Sequence, residues 1–408
     1  MEQKKTVFIE RLEEIDKSFY NHFHKYPDDV FSSSGRIEII GNHLDHNHGS
    51  VMVGTIDLSI LAVVSPTQDN YIRYVTSSFP EIVIDITSLE FNELQCGTSI
   101  AIIKGILYQM KQLGYNIGGC NIYSSTNIFK GAGVSSSAAF ENLIGQIMNY
   151  YYNDSKIKAL ERAKISQFAE RKYFNKPCGL LDQAGIALGG INYIDFYDVQ
   201  HPKTKRIEYE FKNYDFVIVN TKDSHSKLVA NYSQIIDDML LIANHYQKDY
   251  LIDVDENIFF NEKDELAKAY GERAVGRAVH FFEENKRVKS AFAALMNNDE
   301  DTFARLIQES GDSSYKLLRN CYVENEEENL PKAINLSKSI IKKGAVRVHG
   351  GGFAGTILAF VSKEESREYI RVMRKYYGFK NVRKLNISRY GTRYVGKVNK
   401  YLGERESE

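Results

Sequence analysis

The chain reads as an α+β protein. Strand-like segments cluster between residues 36 and 124, and helical patterns run almost without a break from 225 to 343. The two kinds do not alternate as a doubly wound sheet would require. A polar stretch at 196–212 separates them and marks the expected junction between two domains, 1–200 and 201–408. Apolar residues form 43% of the 408 positions and charged residues 26%, which suits a globular chain with a sizeable core.

Taken in order, residues 6–26 carry apolar side chains at helical spacing (Phe8, Leu12, Ile15, Phe19, Phe23). Ser32-Ser33-Ser34-Gly35 reads as a loop, and residues 36–40 alternate like a strand that stops at Gly41. Further strands are expected at 51–64, 71–76 and 82–86, a helix at 99–113 and a strand at 119–124. A helix follows the serines at 135–137, and a polar helix covers 155–174 and ends at Asn175, a residue suited to a left-handed cap. A strand at 191–196 precedes the polar stretch, and 216–219 is a short buried strand. Helices are then expected at 225–248, 263–296, 301–317 and 331–343. An apolar strand at 356–361, a helix at 364–377 and a final strand pair close the chain.

Charge and cysteine usage narrow the function. A formal net charge of −1 supplies no field for nucleic acid or an anionic membrane. Cys96, Cys120, Cys178 and Cys321 are widely spaced and form no CxxC pair, which argues for reduced thiols in a cytoplasm. The N-terminus has no secretory pattern, and no run of about 18 apolar residues could span a bilayer.

Four segments carry candidate chemistry. In residues 127–141, Gly131 and Gly133 permit positive φ, and Ser135, Ser136 and Ser137 stand where helix caps belong. The first turn of a helix offers unpaired N–H groups and partial positive charge, so this loop suits a phosphate. It reads equally as an ordinary capped helix after a turn. In residues 42–49, His43, Asp45, His46 and His48 crowd together, which admits a transition-metal site, a hydrogen-bonding turn or a loop that grips hydroxyls. Asp182, between two elements, could cap a helix or act on a substrate hydroxyl, and Arg36 could be a structural ion-pair partner or a phosphate-facing cation. Residues 391–398 imitate a Walker A pattern, but Val398 stands where Ser or Thr should hold magnesium, and no buried strand and helix frame them.

Together these segments resemble the galactokinase family of the GHMP small-molecule kinases. Gly35-Arg36-Ile37-Glu38-Ile39-Ile40-Gly41-Asn42-His43-Leu44-Asp45-His46-Asn47 is similar to the galactokinase signature. The serine loop through Ala139 and Glu141 follows the second family motif, and Gly350-Gly351-Gly352-Phe353-Ala354-Gly355 resembles the third. Likeness extends to Ala169-Glu170, Cys178-Gly179, Asp182-Gln183, His225 and Tyr232, and to the helical region 283–310. The resemblance implies two lobes, an N-terminal one like ribosomal protein S5 and a ferredoxin-like C-terminal one, with the site between them. It implies ATP phosphates over Gly131, Ala132, Gly133, Val134, Ser135, Ser136 and Ser137, and Mg²⁺ near Ser137 and Glu170. Asp182 would face the anomeric hydroxyl of a sugar with Arg36 beside it, as the catalytic pair. Asn42, His43, Asp45, Gly179 and Tyr232 fall on sugar-contacting positions.

Departures from the family pattern bear on the sugar. Asn42 stands where these kinases usually have Glu, and His46 where they usually have Tyr; Leu44, His48, Phe129 and Ala354 also differ. Loss of that charge beside added imidazoles predicts a less acidic pocket. Galacturonate is therefore an alternative to galactose as substrate. A sugar and ATP sensor without catalysis is the competing class.

Overall fold

The computed structural model of the chain describes residues 2–77, 79–129, 131, 133–222, 229–323, 329–353 and 355–403. Ala132, His225 and Ala354 therefore lie outside the described residues.

Two sheets organise the molecule. The first has eight strands and is built on β1 (Asp29–Ile40) and β2 (Ser50–Pro66), which run antiparallel along nearly their whole length. One half of β2 pairs β5 (Cys120–Thr126), which continues to β3 (Tyr71–Thr76) and β4 (Phe79–Asp85). Its other half pairs β6 (Ile191–Asp195), which in turn pairs β7 (Lys203–Ile207). The second sheet has four strands in the order β11 (Val382–Leu385), β8 (Tyr214–Asn220), β10 (Thr356–Ser362) and β9 (Gly344–His349).

Helices cover these sheets. Helices α1 (Glu2–Phe23), α2 (Ser99–Gln112), α3 (Ser136–Tyr152), α4 (Ala159–Phe168) and α5 (Leu181–Leu188) belong to the first lobe. Helices α6 (Val229–His245), α7 (Glu256–Tyr270), α8 (Glu272–Met296) and α9 (Glu300–Ser313) form the central layer, and α8 also packs on β2. Helices α10 (Asn329–Ile340) and α11 (Lys363–Tyr377) cover the outer face of the second sheet. Strand β8 is buried on both faces. Its Phe216 and Ile218 enter the large central core, and Val217 and Val219 enter a second core with Tyr369 and Met373. That is why it reads as an unbroken apolar run rather than an alternation.

Several expectations are corrected. Ser32-Ser33-Ser34-Gly35 is strand, not loop. β1 is sandwiched between β2 and β12 (Arg393–Lys397), and hydroxyls of Ser33 and Ser34 bond Thr392 Oγ1 at 2.7 Å and the Tyr390 carbonyl at 3.0 Å. The final two strands do not pair: β11 joins the second sheet and β12 the first. The helix expected at 263–296 is two helices parted at Gly271, whose φ is +88°. The polar stretch at 196–212 contains β7, an edge strand of the first sheet, so the sheets do not divide the chain at residue 200. The Walker-like segment supplies β12, followed by the one-turn α12 (Asn399–Leu402). Asn175 does take the left-handed conformation, with φ +64°.

The returning C-terminal segment is tied down by a buried charge. Asp29 accepts hydrogen bonds from Tyr151 Oη at 2.7 Å, Tyr394 Oη at 3.0 Å and Lys397 Nζ at 3.0 Å. Asp29→Ala is expected to cost about 3 kcal/mol, because it strips three donors of one buried acceptor. Urea denaturation of the variant against the parent measures this.

Candidate active site

The site begins with a fault in strand pairing. Ser34 faces Ser59 but Arg36 faces Thr55, so the pairing is irregular at Gly35, where residues 56–58 of β2 stand opposite one residue of β1. A Cβ on Gly35 would lie 2.9 Å from the Val134 carbonyl, and the Arg36 N–H donates to that same carbonyl at 3.0 Å. Glycine therefore lets the serine loop dock against β1, and the irregularity aims Arg36 into the cleft.

Arg36 then meets Asp182, which stands in the first turn of α5. Its Nε and Nη2 donate to the two carboxylate oxygens at 2.7 and 2.6 Å, a bidentate fork, and Nη1 donates to the Gly133 carbonyl at 2.7 Å. The Ser135 hydroxyl also donates to Asp182 Oδ2. Burial alone would raise the Asp182 carboxyl, but Arg36, Ser135 and Lys176 together hold it below the usual range. About a third of the side chain, 32%, stays open to the cleft. Asp182 is thus an ionised, positioned acceptor.

Ser135 itself has φ +60° at the start of α3, and its hydroxyl caps nothing in the helix. Ser136 and Ser137 are exposed in the first turn, beside the orphan N–H groups of a helix start. Gly131 and Gly133 have φ of +74° and +67°, so the positive-φ expectation holds at both. A Cβ on Gly133 would strike Thr356 Oγ1 of the second sheet at 2.2 Å.

Across the cleft, Asp45 receives the Leu181 N–H at 3.1 Å. Burial, with Asp182 and Glu38 adding repulsion, pushes its carboxyl up to about 6. Its carboxylate lies over Gly179, where any Cβ would sit 1.7 Å from Oδ2, so only glycine fits beneath it. Tyr232 packs against His43 at a ring separation of 5.0 Å.

The histidines form a relay of neutral rings. Gly351 O can only accept, so His43 Nε2 carries a proton and donates at 3.0 Å. His43 Nδ1 then accepts from His46 Nε2 at 3.1 Å, and His46 Nδ1 accepts from Asn47 Nδ2 at 2.9 Å. Burial pulls both rings well below the ordinary histidine value, His46 to about 3. All four nitrogens are occupied, which leaves none for a metal. His48 stacks on Tyr250 at 3.7 Å instead. Among the described residues no group of three or more His, Cys, Asp or Glu side chains is placed to hold an ion.

A second carboxylate pair lies deeper. Gln183 Nε2 bridges Glu141 Oε2 at 3.1 Å and Glu170 Oε2 at 2.6 Å, and Lys176 pairs Glu170 Oε1 at 2.7 Å. Burial, reinforced by Glu170, raises Glu141 well above the usual carboxylate range. Glu170 is the ion-paired member.

One cleft with a cavity volume of about 420 Å³ gathers Arg36, Asn42, His43, Asp45, Glu170, Gly179, Asp182, Tyr232 and the described residues of 131–137; His46 and His48 do not line it, and Ala132 is outside the described residues. It also takes in Glu38, Lys176 and His349, which the sequence reading passed over. For Glu38 a signal existed: it is two positions from Arg36 on a strand and so shares its face. Lys176 and His349 offered no local pattern. The expectation of a less acidic pocket fails at this point. Asn42 has lost the charge, but Glu38 brings a carboxylate to the same corner, 3.0 Å from Asn42 Nδ2. The added imidazoles are uncharged.

Known proteins are similar to this chain in sequence and fold. Residues 17–66 match the galactokinase galactose-binding signature, and residues 101–190 match the GHMP kinases N terminal domain. A galactokinase of Clostridium tetani is 29% identical over 362 residues, which span 87% of this chain and 89% of the relative. One from Lacticaseibacillus casei is 28% identical over 89% of this chain and 93% of its own. The crystal structure of Lactococcus lactis galactokinase complexed with galactose superposes with a TM-score of 0.81 at 22% identity, covering 94% of this chain and 99% of that one. Methanococcus jannaschii mevalonate kinase shares the fold at a TM-score of 0.61 and 17% identity, over 88% of this chain and 98% of its own. The fold is that of the GHMP small-molecule kinases. Within that class the chain is similar to the galactokinases, by the matched signature and at 28 to 29% identity over most of its length.

The proton relay makes a spectroscopic prediction. Nitrogen NMR of His43 and His46 is expected to show neutral rings with fixed tautomers from about pH 8 down to about pH 5, the range in which an ordinary histidine charges.

Proposed function

We propose that the protein is an ATP-dependent sugar 1-kinase acting on galactose or a close neutral relative. The observation that carries this reading is the Arg36–Asp182–Ser135 cluster, where an ionised acceptor abuts a helix N-terminus with a glycine-rich approach. Phosphoryl transfer depends mainly on positioning and on neutralising the charge of the moving group. Here both tasks have candidates within one cleft.

In this reading the ATP phosphates lie over Gly131, Gly133, Val134 and Ser135 to Ser137, with Ala132 expected among them. Arg36 faces the transferring group while steering Asp182, and Lys176 adds a second cation. Asp45 accepts from a sugar hydroxyl, with Gly179, His43 and Tyr232 shaping the pocket. The anomeric oxygen bonds to the γ-phosphorus, the bond to the ADP oxygen breaks, and the hydroxyl proton passes to Asp182. A carboxylate held below its normal range is a weak base. The proton therefore moves once the forming O–P bond has made the hydroxyl acidic, and until then Asp182 orients it.

Ser137 and Glu170 suit Mg²⁺: both are oxygen donors lining the cleft, and this ion commonly takes one or two protein oxygens together with substrate phosphates. Bound there, Mg²⁺ would neutralise phosphate charge. Arg36, Glu170 and Asp182 are all present and aligned, which favours transfer over a purely sensing role.

The primary experiment is ADP release with Mg·ATP across galactose, galacturonate, N-acetylgalactosamine, glucose and arabinose. Galactose is expected to lead, and silence across the panel with ATP still bound would sink the kinase reading. Asp182→Asn is expected to lower kcat by ~10²–10⁴ while leaving KM for ATP nearly unchanged. The pH profile has a definite sign. With its carboxyl pushed up to about 6, Asp45 is protonated below that pH and becomes an anionic acceptor above it. KM for the sugar should fall as pH rises through about 6, and Asp45→Asn should flatten that limb.

A further inference from the structure

Asn42 has no hydrogen-bonding capacity left for a ligand. Its Nδ2 donates to Glu38 Oε1 at 3.0 Å, to Glu38 Oε2 at 3.3 Å and to the Gly350 carbonyl at 2.9 Å. Its Oδ1 accepts from Asn320 Nδ2 at 2.7 Å and Ser314 Oγ at 3.4 Å. Two donors and two lone pairs are thereby used.

Glu38 is different. Its Oε1 is loaded, taking Arg347 Nη2 at 2.6 Å as well as Asn42. Among the described residues its Oε2 has only the 3.3 Å contact with Asn42, and the side chain borders the cleft with 7% of its surface exposed. A carboxylate offers about four acceptor sites, so Oε2 retains room for a donor from the cleft. Glu38 follows Arg36 by two residues on the same strand face, roughly 7 Å further along β1. It therefore stands at a distance of about one hexose from Arg36 along the cleft.

We propose that Glu38 selects the sugar at the end of the cleft remote from Asp182, where its carboxylate accepts from a neutral hydroxymethyl group and repels a carboxylate. The charge missing at Asn42 has moved to β1, and Asn42 and Arg347 hold it in place. The neutral His43–His46 relay supplies no compensating cation. A uronic acid would bring a second anion against Glu38, whose one cation, Arg347, is already spent on it and fully buried. This deepens the sugar-kinase reading above and rests on it.

Wild-type enzyme gives the first test. Fucose, which is galactose without its C6 hydroxyl, should lose roughly 10- to 100-fold in kcat/KM, and galacturonate should neither turn over nor compete with galactose. Glu38→Gln should raise KM for galactose by a similar factor with a smaller change in kcat, and should admit measurable galacturonate turnover. Glu38→Asp keeps the charge opposite Arg347 but withdraws it by one methylene. It should raise KM for galactose without admitting galacturonate. Thermal unfolding and ADP binding establish that the variants fold. Galacturonate bound by the wild type as tightly as galactose overturns the inference, whether or not the variants fold. So does an unchanged KM in Glu38→Gln, or a loss confined to kcat. If no sugar releases ADP, the kinase reading itself fails. If sugars turn over and the Glu38 predictions fail, only this inference falls.

Discussion

The bidentate pair between Arg36 and Asp182 is the constraint around which the cleft is arranged. Two charges withdrawn from water are costly unless every remaining donor and acceptor is met. Here Arg36 Nη1 finds the Gly133 carbonyl, and Asp182 Oδ2 finds Ser135. Satisfying the pair therefore draws the glycine-serine loop onto β1, and the close contact at Gly35 leaves room for it. One ion pair fixes three elements at once: the irregular strand, the start of α3 and the first turn of α5. The strained φ of +60° at Ser135 is intelligible on the same terms, because a helix-capping rotamer would forfeit the bond to Asp182.

The second sheet supplies the opposite wall. His349 Nε2 accepts the Glu38 N–H at 3.1 Å, and Arg347 donates to the Ile39 carbonyl at 3.0 Å, so β9 is bound to β1 by side chains rather than by strand pairing. Gly350 and Gly351 then hand their carbonyls to Asn42 and His43. The third glycine motif thus serves as a backbone wall for the 42–48 turn, and Tyr232 can lie flat on Gly351, where a Cβ would come within 2.9 Å of its ring. Behind this turn, α8 acts as a strut: Glu284 receives the Gly41 N–H at 3.0 Å and His280 donates to the Asn42 carbonyl at 3.0 Å. Lobe contact and pocket shape are consequently the same set of bonds.

Much of this was legible beforehand, and the limits have physical causes. Local period and capping chemistry located β3 and α2 almost to the residue, because those elements show one buried face or a clear N-cap (Thr98 accepts from the Ala101 N–H). The serine loop and Asp182 were readable from chemistry, and the motif resemblance joined them. The strand at Ser32 to Gly35 was not, since these polar residues are held as strand by distant partners: β2 opposite Ser32 to Ser34, β12 opposite Ser32, and side-chain bonds from Ser33 and Ser34 to Thr392 and Tyr390. No local pattern announces a partner some 360 residues away (Ser33 to Thr392, separation 359). Glu38 was missed for another reason. The charge lost at Asn42 is regained four residues earlier, and a strand and the turn after it show no local sign that Asn42 and Glu38 touch.

The carboxylates of the cleft divide by their partners, and that division carries the chemistry. Asp182, Glu170 and Glu38 each have a cation, from Arg36, Lys176 and Arg347 respectively. Asp45 has the Leu181 N–H and, among the described residues, no cation within ion-pair distance. Burial therefore prevails over that one hydrogen bond and lifts it to about 6, while Asp182 is held down by its guanidinium partner. Two carboxylates with divergent affinities for a proton are suited to different tasks. The permanently charged one can orient an attacking hydroxyl at any physiological pH. The conditional one accepts from substrate strongly only when ionised, which makes recognition, and not the transfer step, the pH-sensitive part of this site.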